Sequence, residues 1–155
     1  MVNGSASRQE STGELLTGRF EPRSGAKALV TSGHAVLLVR ERHSDGTPFW
    51  TLPGGGVCAH ENPVEGLRRE LVEELGCRSR VDDPVSTFWY AHDSHEATVS
   101  MYTVFECSLL SEPVPNHGEG VFEARWVEPD SLPPATLPQV RYLCQAAVDS
   151  ATGKD

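Results

Sequence analysis

A chain of 155 residues, 38% hydrophobic and 23% charged, is long enough to bury one sizeable core and has no apolar run near the ~20 residues that cross a bilayer. Its 22 acidic against 13 basic side chains give a net charge of −9, which excludes a general binder of phosphate backbones or anionic membranes, because such surfaces must be basic. A small anionic substrate brought in with metal ions remains compatible.

Residues 1–16 are rich in small polar side chains and lack an apolar h-region, so they read as a disordered leader and not a signal peptide. A single domain is expected over 17–150, with a frayed tail over 151–155. From Ala26, two apolar, β-branched runs flank Ser32-Gly33-His34 and predict a hairpin. A loop, HSDGTP, precedes a short strand, FWTL, which runs into PGGG, read as a glycine loop. Beyond the next helix, PVSTFWYA and ATVSMYTVFECSLL read as a strand pair joined by HDSHE. EPVPNHGEG is a loop, FEARWV a last strand and PQVRYLCQAAVDS a helix. In that helix Pro138 suits the first turn, and Val140, Leu143, Cys144 and Ala147 recur at helical spacing. This order predicts a mixed sheet with helices packed on its faces. Cysteines 58, 77, 107 and 144 form no C-x-x-C pair, as expected of reduced, mostly buried thiols in a cytoplasmic protein.

The segment ENPVEGLRRELVEELGC carries the chemistry. Asn62, Pro63 and Glu65 form an N-terminal capping signature and Gly76 a stop, which predicts a helix over about Pro63 to Leu75. Val64, Leu67, Leu71 and Leu75 fall on one stripe and must face the core. Glu70, Glu73 and Glu74 fall on an adjoining stripe beside the glycines, where like charges at this spacing destabilise a helix. A solvated charged face is the bland explanation of three glutamates. The glycine flank favours another: clustered hard oxygens suit Mg²⁺ or Mn²⁺, and glycines let backbone approach the same ions and a phosphate. Arg69, four after Glu65 and four before Glu73, is placed to orient the carboxylates.

These residues resemble the Nudix hydrolase box, G-x5-E-x7-R-E-U-x-E-E-x-G-U with U bulky and aliphatic. The chain reads Gly55, then Glu61, then Arg69-Glu70-Leu71-Val72-Glu73-Glu74-Leu75-Gly76-Cys77, matching over 23 residues with Cys77 in the final aliphatic slot. Trp50-x-Leu-Pro-Gly-Gly before the box and Arg125-Trp126-Val127 after it are similar to the family too. The resemblance implies an α/β/α sandwich with a mixed sheet, and hydrolysis of a phosphoanhydride in a nucleoside diphosphate linked to another group. It further implies Mg²⁺ or Mn²⁺ held by Glu70, Glu74, Glu73 and the Gly54 carbonyl, with Glu61 and Arg69 supporting those carboxylates. Gly55 and Gly56 would approach the substrate, and Arg40 would hold a phosphate. Glu73 and Glu74 would also serve the chemistry, and a general base is expected downstream among Glu112, Glu119 and Glu123. Glu119 is preferred because its glycine neighbours give it mobility. His60, His92 and His95 are expected on exposed loops, and Trp50 and Trp126 in the core.

The partner implied is a small nucleotide, with no DNA- or RNA-binding domain and no membrane association; a homodimer is compatible. Markers that distinguish subfamilies similar to this one, a proline or tyrosine about sixteen residues past the box, are absent from Ala91 to His95. The compact chain favours a nucleoside triphosphate over a nucleotide sugar. The alternative is a Nudix-like nucleotide-binding regulatory module without turnover, against which the intact glutamate set argues.

Overall fold

The computed structural model describes residues 22–92 and 98–153, with side chains described as far as 146. The expected leader and residues 93–97, including His95, lie outside them. Seven strands run β1 (Arg23–Ser32), β2 (Ala35–Arg42), β3 (Pro48–Thr51), β4 (Gly54–Gly56), β5 (Ser79–His92), β6 (Thr98–Leu109) and β7 (Glu123–Val127). Two helices, α1 (Pro63–Leu75) and α2 (Pro138–Gly153), complete the described fold. The hairpin turns where expected, with Gly33 in the left-handed region at φ 61°.

The sheet is mixed. β1 runs parallel to β6 over Arg23–Val30 and antiparallel to β4. Beyond the β1–β2 turn, β2 is flanked by β3 and β7, both antiparallel. β5 forms the outer edge on β6. Three expectations are corrected. The three glycines are a strand, not a loop: β4 pairs Gly54, Gly55 and Gly56 with Lys27, Ala26 and Gly25. A Cβ on Gly54, which has φ 129°, would collide with the Ala26 carbonyl, so only glycine allows this approach. β5 begins at Ser79, before the expected Pro84, because Ser79–Val81 pair with Cys107–Leu109 across an irregularity at Pro84; an edge strand tolerates the missing donor. α2 continues to Gly153, three residues beyond the expected helix end at Ser150.

Each helix covers its own face. Leu67, Leu71 and Leu75 of α1 are fully buried against Ala26, Ala28, Val30, Leu37 and Val39. Val140, Leu143 and Cys144 of α2 pack on Leu29, Val36, Leu38, Trp50 and Leu52. Strand alternation divides β1 between the two layers. It also corrects Trp126: Val127 joins the core, so Trp126 points away and is 38% exposed, whereas Trp50 is buried as expected. Burying each α1 leucine contributes about 1.5–3 kcal/mol. Leu71→Ala should therefore lower unfolding free energy by about 2–5 kcal/mol in a denaturant titration, the range for truncating a buried leucine.

Candidate active site

α1 is anchored at both ends, which fixes the direction of its acidic face. Asn62 Oδ1 accepts from the Glu65 amide at 2.9 Å, and Glu65 Oε1 accepts from the Asn62 amide at 3.0 Å. This reciprocal box satisfies two donors that the first turn leaves free. Glu65 is thereby used in the cap and does not pair with Arg69. At the other end Gly76, φ 66°, donates to Val72 O at 2.9 Å.

Arg69 is the hub of the acidic face. Its Nε and Nη2 grip Glu61 at 2.9 and 2.8 Å, Nη1 reaches Glu70 and Glu73 at 3.1 Å, and Nη2 donates to Gly56 O at 3.1 Å. One planar guanidinium thus ties the segment before the helix to two carboxylates on it, a geometry lysine lacks. The Arg69 hydrogen bonds, with the Cys58 amide at 2.8 Å, hold the half-buried Glu61 carboxyl down at about 2.

Glu74 faces the other way. It is buried, and its Oε1 accepts from the Gly54 amide of β4 at 3.1 Å. Burial pushes its carboxyl up to about 9; Lys27 opposes the shift, while Glu41 and a hydrogen bond with Glu70 reinforce it. Gly55 leaves room for this crowding, since a Cβ there would meet Glu70 Oε1 at 2.8 Å. The expected residues Gly54, Gly55, Gly56, Glu61, Arg69, Glu70, Glu73 and Glu74 are therefore brought together.

Two charged groups that the sequence reading missed complete the cluster. Lys27, 5% exposed, donates from Nζ to Gly54 O at 3.0 Å and lies 4.8 Å over the Tyr102 ring. Glu41, half-buried on β2, acts electrostatically on Lys27 and Glu74. The signal for Lys27 was present: it interrupts an apolar strand, AKALV, where a cation is out of place. Both line a cavity of about 260 Å³ with Phe49, Phe88, Tyr90 and Tyr102. His43 stacks on Phe49 with ring centroids 4.2 Å apart, and its Nδ1 lies 3.2 Å from the Tyr90 hydroxyl.

The remaining expected residues sit apart. Arg40 is on β2, where its Nε meets Glu123 Oε1 at 3.2 Å, and Glu123 also binds Arg125 at 2.7 Å. Glu119 is exposed at the end of a short 3-10 turn, His117–Glu119. That turn is tethered to the end of α1: Asn116 Nδ2 donates to Glu73 O and the Asn116 amide to Glu74 O, both at 2.9 Å. Glu112 and His60 are exposed. His92, expected in a turn, ends β5, with Nε2 at 2.7 Å from Ser100 Oγ.

The donor set fits a hard divalent cation: carboxylate oxygens of Glu70, Glu73 and Glu74 stand beside a backbone strand of glycines. As they stand among the described residues, no three His, Cys, Asp or Glu side chains converge on one point. Arg69 draws Glu70 and Glu73 one way while Gly54 draws Glu74 the other.

The sequence profile of the NUDIX domain matches residues 21–145. The nucleoside triphosphatase NudI of Escherichia coli is 33% identical over 114 residues, covering 67% of this chain and 80% of that protein. A MutT NUDIX hydrolase from Burkholderia pseudomallei superposes with a TM-score of 0.66 at 24% identity, over 80% of this chain and 96% of its own. The MutT protein of Methanosarcina mazei gives 0.66 at 21% identity, over 84% and 96%. At these identities the two structures establish the shared fold.

The raised Glu74 carboxyl has a consequence for stability. A carboxyl raised on folding contributes stability that is complete below its ordinary value of 4.5 and is lost as pH rises through about 9. The melting temperature of the metal-free protein should therefore fall between about pH 5 and 9. Glu74→Gln, permanently neutral, should flatten that slope in a pH series of thermal melts.

Proposed function

This chain belongs to the Nudix hydrolase family, and from that premise we propose that it is a divalent-metal-dependent pyrophosphohydrolase whose substrate is a nucleoside triphosphate. The observation that carries the reading is a buried carboxylate, Glu74, crowded against Glu70 and the glycine strand beside an aromatic-walled cavity. Such crowding is costly in a metal-free protein, and a bound cation offsets it. The E. coli relative's description as a nucleoside triphosphatase supports the substrate class.

In this reading Glu70, Glu73 and Glu74 hold Mg²⁺ or Mn²⁺, with the Gly54 carbonyl a further oxygen that Lys27 already engages. A divalent ion there neutralises phosphate oxygens and lowers the pKa of a water it binds. Arg69 and Glu61 fix the carboxylate directions. The aromatic cavity takes the base and sugar, with Phe49, Tyr90 and Tyr102 offering stacking faces. Arg40 holds a phosphate, and the Gly55 and Gly56 backbone stays open to its close approach. Glu119 swings from its tethered turn to take the proton of the attacking water as it adds to phosphorus and the anhydride oxygen leaves. Four unpaired cysteines support a reducing, cytoplasmic setting.

A panel of nucleoside triphosphates, nucleotide sugars and dinucleoside polyphosphates, assayed with Mg²⁺ and with Mn²⁺, tests this. Nucleoside monophosphate and pyrophosphate from triphosphates are expected; turnover confined to nucleotide sugars would contradict the substrate class. Glu70→Gln and Glu74→Gln should each lower kcat by about a hundredfold with the fold retained, the size of effect seen when a metal site loses a supporting group. Glu119→Gln should lower kcat without altering thermal stability; unchanged kcat across about pH 6 to 9 would remove it as the base.

A further inference from the structure

Thr51, the last residue of β3, is 1% exposed, and its hydroxyl has no hydrogen-bond partner among the described residues. A buried hydroxyl without a partner carries the full penalty of leaving water, and valine would fill the same branched shape without it. Neighbouring hydroxyls do not share this state. Thr136, bridged to Trp50, donates to Pro133 O at 2.8 Å, and Ser100 Oγ lies 2.7 Å from His92 Nε2. Ser79 Oγ is also unpartnered, but Ser79 does not line the aromatic cavity. Thr51 does.

The place of Thr51 in that wall is set by β3. Side chains alternate along a strand, so Phe49 and Thr51 share a face, about 7 Å apart at the usual rise per residue. A planar ring stacked near Phe49 therefore brings an edge toward Thr51. Nearby neutral polar groups are already engaged: His43 Nδ1 lies 3.2 Å from the Tyr90 hydroxyl, and His92 meets Ser100.

We infer that Thr51 is a specificity-determining residue: its hydroxyl hydrogen-bonds the polar edge of the nucleobase that stacks in the aromatic cavity. This rests on the nucleotide reading of that cavity. A hydroxyl both donates and accepts, so it can meet a base carbonyl, ring nitrogen or amine. Already out of water, it favours a ligand that completes its bonding and disfavours one that leaves it unpaired. The contact is to the base and not to the reacting phosphorus. It persists through the reaction and so contributes to binding and base choice.

The test compares wild type, Thr51→Val and Thr51→Ser on ribo- and deoxyribonucleoside triphosphates of the common bases, reading KM, kcat and melting temperature. Thr51→Val should raise KM about tenfold for the preferred base, the scale of one lost hydrogen bond, with kcat within about twofold. The rise should differ between bases, which present different polar edges. Melting temperature should hold or increase, because the variant removes an unpartnered hydroxyl. Thr51→Ser should restore KM. An unchanged KM in Thr51→Val, or a lower melting temperature with KM intact, would overturn the inference and return the hydroxyl to the fold. An equal rise for every base, with an altered preference between ribose and deoxyribose, would place it on the sugar and overturn the base assignment. Should Thr51→Val not fold, Thr51→Ala set against Thr51→Ser makes the same comparison. Wild-type turnover of no nucleoside triphosphate would overturn the substrate reading and this inference with it.

Discussion

Arg69 is the contact on which the arrangement of the site depends. One guanidinium binds Glu61, Glu70, Glu73 and the Gly56 carbonyl, and so fastens a helix of like charges to the strand segment it must face. Without it, Glu70 and Glu73 would repel each other along α1, and the chain between Gly56 and Asn62 would keep its Val57 packing but lose the ion pair that ties Glu61 to the helix. Its strength comes from geometry: a planar fork with two bonds to Glu61 has directional donors left for the other carboxylates. Partial exposure of these groups screens each pair, so the energy of any one is modest, and their shared centre gives the orientation.

The fold supplies what the arginine needs. Three fully buried leucines seat α1 on β1 and β2, which places its acidic stripe along β4. β4 can lie there because glycines accept both the φ of 129° at Gly54 and the approach of Glu70 to Gly55. Glu74 then closes the contact from helix to strand through the Gly54 amide. Packing, strand geometry and electrostatics constrain the same few residues, so a change in one is felt in the others.

The helix and its acidic cluster were legible because they rest on local rules: capping residues, a leucine stripe at helical spacing, and a glycine stop. The hairpin was legible from turn chemistry around Gly33. What escaped depends on distant partners. The strand character of Gly54–Gly56 needs β1 as its neighbour, the outward direction of Trp126 follows from which face Val127 takes, and the start of β5 at Ser79 is fixed by its register with Leu109. Lys27 and Glu41 stand 14 positions apart, and no spacing rule joins them; only the breach of the apolar pattern at Lys27 pointed inward. The aromatic cavity escaped for the same reason, since Phe49, Phe88, Tyr90 and Tyr102 converge from three strands of the fold.

The central claim is that the Glu70, Glu73 and Glu74 cluster is a divalent-metal site worked by a nucleotide hydrolase. The most direct test is a crystal of the protein grown with Mn²⁺ and a non-hydrolysable nucleoside triphosphate, measured for anomalous scattering at the manganese edge. The account predicts an anomalous peak against Glu70 and its neighbouring glutamates, with Arg69 still on Glu61 and the base in the cavity beside Tyr102. Bound nucleotide with no anomalous peak at those glutamates would contradict it.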